Sequence, residues 1–371
     1  MRKKAIVFIA QTSPPIHGQA IMAAQLADLM HAWPESQVHL VNSSYTNDRS
    51  QLGSFSLRKV YLWLSYLIRT LWLCLTRPVD AIVMTHSFFP GPFLKDSAFL
   101  WLAWLLRKKI IVWVHMDPNR FPWNTGSRWL TFYARHSIRL PHQWVACSPS
   151  LVAQWPDVFD RSKLAAICNG IPDPQPSLLP RPQQPLRVVF ISSMTEEKGW
   201  QDLLAVAEIL CAECLDLAFD FYGGVGAGES GARLQQVFSS CAHPARILWH
   251  GELWGDRKTK VLATADLFCL PSWTEAFPLA VIDAMACALP VVATRVGGIR
   301  DAITEGENGW LCSAKDRDSL LSTLRTALAH CDQFTNIGQR NRQRFLDEFS
   351  TAAFDRKWRD LLVNSLKTLP S

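Results

Sequence analysis

Three stretches of this 371-residue chain combine residue types and spacings suited to a phosphate-bearing substrate. The strongest is Trp273-Thr-Glu275-Ala-Phe-Pro278, a loop between a strand expected over 266–272 and a helix expected over 279–288. Pro278 suits the first helical turn, where a missing N–H costs nothing. The N–H groups of Ala276, Phe277 and Leu279 would then be open to a phosphate, with Glu275 beside them. Leu279, Ile282 and Ala286 would form the packed face of that helix, and Asp283 would reach a ribose hydroxyl pair. The second stretch is Ser193-Met-Thr-Glu-Glu-Lys198-Gly199, running into a helix expected over 200–215. From that turn Lys198 could reach a phosphate as a charge-assisted donor. The third is the loop from Gln11 to Gly18, ahead of a helix expected over 21–30. A glycine at such a place lets an anion approach bare N–H groups at the favourable end of the helix dipole. Each stretch also has a plainer reading, as a helix cap, a solvated lysine or a simple strand-to-helix turn.

The elements that must position these residues follow from hydrophobic patterning. Short continuous apolar runs stand at 5–10, 38–41, 81–84, 110–114 and 144–147. A second set stands at 188–191, 218–222, 247–249, 267–270 and 291–293. Helical stretches separate them, and continuous apolarity marks strands covered on both faces, so both sets are expected to form parallel sheets. This is the α/β class, in two doubly wound, Rossmann-like domains. The six prolines of 171–185 forbid helix and central strand. Residues 1–171 are therefore expected to form the first domain, 172–185 a linker and 186–351 the second, with the two sheets facing a central cleft. A helix over 352–371 would pack back on the first domain.

Composition bounds the function. Hydrophobic residues make up 49% and charged residues 19%, enough for large cores and inconsistent with general disorder. No secretory leader is read at the start, and the ten cysteines form no disulfide framework, so a reducing cytoplasm is expected. Cys211 and Cys214 form a lone CxxC that neither Cys241 nor His243 extends to a zinc spacing. Net charge is +6 but divided: Lys and Arg against Asp and Glu number 18 to 8 in residues 1–171 and 20 to 24 in 172–371. No nucleic-acid motif accompanies the basic half. Neither 60–75 nor 99–106 is long enough, uninterrupted, to span about 30 Å of hydrocarbon. The first instead puts tryptophans beside Arg58, Lys59 and Arg69, the pattern of an interfacial helix, although packing on a sheet would also explain it.

The motifs taken together resemble one family. Glu275-Ala-Phe-Pro-Leu279 followed by Asp283-Ala-Met-Ala is similar to the Glu, seven residues, Glu signature of family 4 retaining glycosyltransferases, which have the GT-B fold. Glu197-Lys198-Gly199, Phe221-Tyr-Gly-Gly224, His250-Gly-Glu-Leu253, Leu289 to Gly298 and Asn308-Gly-Trp-Leu311 fit in the same order. Pro14 to Gly18 and Asn169-Gly170-Ile171 correspond in the first half. Two positions depart from the pattern: Ser193 stands where the family has an arginine, and Asp283 where it has a second glutamate.

The resemblance implies transfer of a sugar from a nucleotide-diphosphate donor with retention of configuration. Glu275 would contact the donor sugar, Lys198 and the helix N-termini at Gly18 and Leu279 the diphosphate, and His115 would lie near the sugar. Ser193, Leu253, Ala276, Phe277 and Asp283 complete the implied donor set. No metal or other cofactor is implied, since no Asp-x-Asp stands in a strand-end loop; Asp316-Arg-Asp318 is read as a helix cap. The implied acceptor is a saccharide, lipid-linked as in bacterial polysaccharide or lipopolysaccharide assembly, on an anionic inner membrane face. Two alternatives remain open, a nucleotide-sugar epimerase of the same fold and a membrane-associated subunit with a decayed site.

Overall fold

The structure, a computed structural model, describes residues 2–12, 18–45, 56–121, 123, 127–177, 185–214, 216–226 and 229–367. Residues 13–17 of the loop before Gly18 and 178–184 of the expected linker lie outside the described residues. The chain divides into two compact units, one of Met1–Asn169 with Phe354–Ser371 and one of Gly170–Ala353.

The first unit holds a six-stranded parallel sheet. Its strands are β1 (Lys4–Ala10), β2 (Ser36–Asn42), β3 (Val79–Thr85), β4 (Lys109–Val114), β5 (Gln143–Ala146) and β6 (Leu164–Ala166), in the order β2-β1-β3-β4-β5-β6. Connecting them are α1 (Gly18–Ala32), α2 (Leu57–Thr76), α3 (Pro90–Leu105), α4 (Arg128–Ser137) and α5 (Pro149–Ala153). The chain moves one way along the sheet from β1 to β2 and the other way from β2 through β5. Right-handed crossovers therefore place α1 on one face and α2, α3 and α4 together on the other. From Phe354 on, the C-terminal helix Thr351–Lys367 covers the α1 side: Trp358, fully buried, meets the Trp113 ring at 5.1 Å. Trp33 Nε1 donates to Asp355 at 2.6 Å, and Arg359 pairs with Glu35. Burying an aromatic side chain of this size contributes about 1.5–3 kcal/mol.

The second unit repeats the plan. Strands β7 (Leu186–Ile191), β8 (Leu217–Tyr222), β9 (Ile247–Trp249), β10 (Leu267–Leu270), β11 (Val291–Thr294) and β12 (Gly309–Cys312) run in the order β12-β11-β10-β7-β8-β9. Its helices are α6 (Trp200–Glu213), α7 (Gly231–Ser240), α8 (Asp256–Thr264), α9 (Leu279–Ala286), α10 (Ile299–Ala302), α11 (Arg317–Ala329) and α12 (Phe334–Arg344). Two parallel, doubly wound sheets, one in each unit, bear out the expected α/β class of two Rossmann-like domains.

Several details differ from expectation. Helix α1 starts at Gly18 rather than Ile21, so Gly18 opens the helix instead of preceding it. Helix α6 ends at Glu213, leaving Cys214 exposed beyond it while Cys211 is buried in the core. Helix α9 ends at Ala286, with Pro278 as its N-cap residue, extended at φ −74° and ψ 123°. Its buried face uses Val281 and Ile282, whereas Leu279 is half-buried. In the expected linker, Asp173 is held by the Arg342 guanidinium at 2.7 Å, and its carboxyl falls below the ordinary range chiefly through that bond. The Asp316 carboxylate caps α11, accepting from the Ser319 N–H at 2.9 Å.

Candidate donor site of the second unit

The order of the second sheet puts a topological switch between β7 and β10: the chain proceeds from β7 toward β9 on one side and from β10 toward β12 on the other. Crossovers leave such a place on opposite faces, opening a crevice at the carboxyl ends of the two strands where ligands bind. Lys198 and Glu275 belong to the loops that follow these two strands.

Those loops are joined by direct bonds. After β7 the chain makes a short turn, Glu196–Lys198, closed by Gly199 in the left-handed region at φ 70°. A side chain at Gly199 would meet the Pro271 carbonyl oxygen at 2.1 Å, so glycine alone allows the two loops to approach this closely. The Trp273 N–H donates to the Glu197 carbonyl at 2.8 Å, and Trp273 Nε1 donates to Asp202 at 3.0 Å. On the other side Gly297, at φ 48°, would set a Cβ 1.8 Å from the Glu275 carbonyl oxygen. The Gly298 N–H donates to the Ala276 carbonyl at 2.8 Å. Glu275 is thus held from both neighbouring strand ends.

The side chains converge accordingly. Lys198 Nζ donates to Glu275 Oε1 at 2.6 Å, with side chains 26% and 9% exposed. A charge-assisted bond of this kind, mostly out of water, fixes both groups beside the start of α9. Phe277 is buried, its ring 5.5 Å from that of Phe349. In the first turn of α9 the Val281 N–H donates to the Pro278 carbonyl at 3.2 Å, and the positive end of the helix faces the loop that precedes it.

Asp283 faces α8. Its carboxylate accepts from Lys258 Nζ at 2.6 Å. Burial raises the Asp283 pKa, and the Lys258 charge and hydrogen bond counter that rise. Lys258 was not expected from the sequence; nothing in the run Asp256-Arg-Lys-Thr-Lys marks which cation turns toward a residue on another helix. Ser193 is half-buried after β7 and Leu253 buried after β9. Nearby, the Ser192 N–H donates to Tyr222 O at 3.0 Å and the Gly223 N–H to Gly251 O at 2.8 Å, lacing the three strand ends together.

Gly18 and His115 belong to the first unit. His115 directly follows β4, its ring 4.1 Å from that of Trp113. A second histidine, His86, follows β3 and is buried between Phe93, Phe88 and Trp144; the sequence did not single it out. Among the described residues, no group of three or more His, Cys, Asp or Glu side chains is placed to hold a metal ion.

Comparison with known proteins agrees with this geometry. Residues 175–344 match the family model for glycosyl transferases group 1. Among curated relatives, an N-acetyl-alpha-D-glucosaminyl L-malate synthase of Bacillus anthracis is 30% identical over 163 residues, 44% of this chain and 41% of that protein. The amylovoran biosynthesis glycosyltransferase AmsK of Erwinia amylovora is 30% identical over 149 residues, 38% of this chain and 35% of that one. The chain thus spans less than half the length of these relatives in the matched region. The crystal structure of Anabaena HepE in complex with UDP superposes with a TM-score of 0.69 at 15% identity, over 98% of this chain and 100% of that one. At that identity the likeness is one of fold, and the fold is GT-B.

Proposed function

We propose that the protein is a retaining glycosyltransferase that transfers a sugar from a nucleotide-diphosphate donor. The observation that carries this reading is the Lys198–Glu275 pair, 2.6 Å apart at the switch point beside the N-terminus of α9. In this reading Lys198 and the backbone N–H groups of Ala276 and Phe277 in the loop before α9, and of Leu279 at its start, take up the charge that grows on the leaving diphosphate. Glu275 contacts the donor sugar. Asp283, tied to Lys258, reaches the ribose, and Ser193 and Leu253 line the nucleotide. Lys198 carries more of the diphosphate load than in relatives, because Ser193 replaces their arginine. Gly18 at the start of α1 and His115 after β4 act from the first unit, the histidine near the sugar.

The anomeric carbon–oxygen bond to the diphosphate breaks as the bond to the acceptor oxygen forms on the same face. The departing phosphate oxygen takes the acceptor's proton, so no side-chain nucleophile and no metal or other cofactor is required. The acceptor is a lipid-linked saccharide in bacterial polysaccharide or lipopolysaccharide synthesis, and the enzyme works as a peripheral protein on the inner membrane face. Support for that part comes from AmsK, named for amylovoran biosynthesis, and from the cationic first half of the chain.

The test is a panel of nucleotide sugars incubated with the protein with and without EDTA, followed by proton NMR of the anomeric signal. One donor should release its nucleoside diphosphate with the anomeric configuration kept, and EDTA should leave the rate unchanged. Inversion, or a loss of rate that manganese or magnesium restores, would contradict the reading.

A further inference from the structure

Helices α2, α3 and α4 share one face of the first sheet and form one continuous layer. Trp63 Nε1 on α2 donates to Lys95 O on α3 at 3.1 Å. Trp101 Nε1 on α3 donates to Ser137 Oγ on α4 at 2.9 Å, and its ring stacks with Tyr133. The layer's inner side is therefore spent on packing; its outer side is not covered. Helix α2 fully buries only Thr70, Leu73 and Cys74. Opposite them, Leu57, Tyr61, Leu64, Ile68, Trp72 and Leu75 recur at helical spacing as one exposed stripe, with Tyr61 71% and Ile68 65% exposed. Trp104 and Leu105 at the end of α3, and Trp129 and Phe132 on α4, are exposed as well. Exposed apolar side chains gathered in this number on one layer mark an interaction site.

Charge identifies the occupant. At about 100° per residue, Arg58 and Arg69 fall along one edge of the α2 stripe, and Arg69 lines a shallow hollow with Tyr61, Leu64, Ile68 and Trp72. Neither arginine, nor Arg128 at the start of α4, pairs with a carboxylate among the described residues. Helices α2 and α4 contain no acidic residue at all, and α3 contains only Asp96, which is occupied by Lys95 and the Ser87 N–H. A second copy of this face would set cations against cations. A bilayer presenting anionic headgroups over an apolar interior matches both features, aromatic side chains at the interface included.

We infer that the outer face of the α2–α3–α4 layer docks on a bilayer containing anionic lipid, with Tyr61, Ile68, Trp72, Trp129 and Phe132 entering the headgroup boundary. This names the surface behind the peripheral position in the proposed function and rests on that reading for its purpose. No helix among the described residues is long and apolar enough to cross a membrane.

The experiment is flotation of the full chain with vesicles of phosphatidylcholine, with and without phosphatidylglycerol. The protein should float only with phosphatidylglycerol, and raising salt from about 0.1 M to 1 M should release most of it, as screening shortens from about 10 Å to 3 Å. The pairs Ile68→Ser with Trp72→Ser, and Trp129→Ser with Phe132→Ser, should each lower the bound fraction about tenfold or more through lost apolar burial. Arg58→Gln with Arg69→Gln should weaken binding and flatten its salt dependence. Thermal midpoints and hydrolysis of the donor in lipid-free solution should stay at wild-type values in all three. Protein that remains in solution beside anionic vesicles would overturn the inference. So would a wild-type dimer that Ile68→Ser with Trp72→Ser converts to monomer in sedimentation, since the face would then belong to a second copy. Flotation as expected by a protein that hydrolyses no nucleotide sugar would support the docking face while removing the transferase reading.

Discussion

At the scale of single residues, two side chains from separate strand ends meet, Lys198 and Glu275. Lys198 satisfies Glu275, whose side chain is only 9% exposed, and it is the cation nearest the start of α9 in this pair of loops. Its removal has two consequences that can be measured apart. Lys198→Ala should weaken nucleoside-diphosphate binding by about 1.5–3 kcal/mol, the scale of a hydrogen bond to a charged group, read by calorimetry. It should also lower stability by leaving a mostly buried carboxylate without its partner. Adding Glu275→Ala should recover part of that stability and none of the affinity, because neighbouring residues couple by about 0.5–3 kcal/mol. Full additivity in urea unfolding, with nucleotide affinity unchanged, would show that the pair neither holds the site nor serves it.

At the scale of elements, ten strands stood out in the sequence as continuous apolar runs, since strands covered on both faces carry no polar side to dilute the pattern. The other two, β6 and β12, did not stand out. Leu164–Ala166 is a half-buried edge strand of three residues, and Gly309–Cys312 opens with a glycine, so neither forms a long apolar run. The site was legible where local sequence fixes local geometry: Glu275 before α9, and Lys198 at a Lys-Gly turn. It was not legible where two elements meet in space, as with Lys258 and Asp283. The loop after β3 is a further case, since one polar residue, His86, is enclosed there by rings. Burial depresses the His86 pKa to about 4, the largest cause, while the Asp96 charge opposes and Lys95 adds to it. A histidine kept neutral when folded contributes stability that is present above its unfolded pKa of about 6.5 and is lost as pH falls toward 4. Urea midpoints should therefore drop between pH 7 and 4, with up to about 3 kcal/mol traceable to this group. His86→Leu should show a shallower fall over the same window. His39 and His142, also depressed by burial, contribute in the same direction, so a residual slope is expected. An identical pH profile in wild type and variant would remove His86 from the explanation.

For the molecule as a whole, two sheets of the same plan carry different loads. The second unit holds Lys198, Glu275, Asp283 and α9, and contains the whole segment that matches the glycosyl transferases group 1 model. The first holds the excess positive charge and the exposed aromatic layer, 18 basic against 8 acidic side chains in residues 1–171. Such a division suits an enzyme whose donor is a soluble nucleotide sugar and whose acceptor is held at a charged surface. Everything in that assignment depends on the second unit being a working donor site. Its most direct test is the rate of acceptor-free donor hydrolysis by wild type and by Glu275→Gln, a change that keeps shape while removing the charge. Wild type should release nucleoside diphosphate at a measurable rate, and the variant should lose roughly 10²–10³ of it while still unfolding cooperatively at a temperature well above that of the assay. Hydrolysis by the variant within twofold of wild type would contradict it.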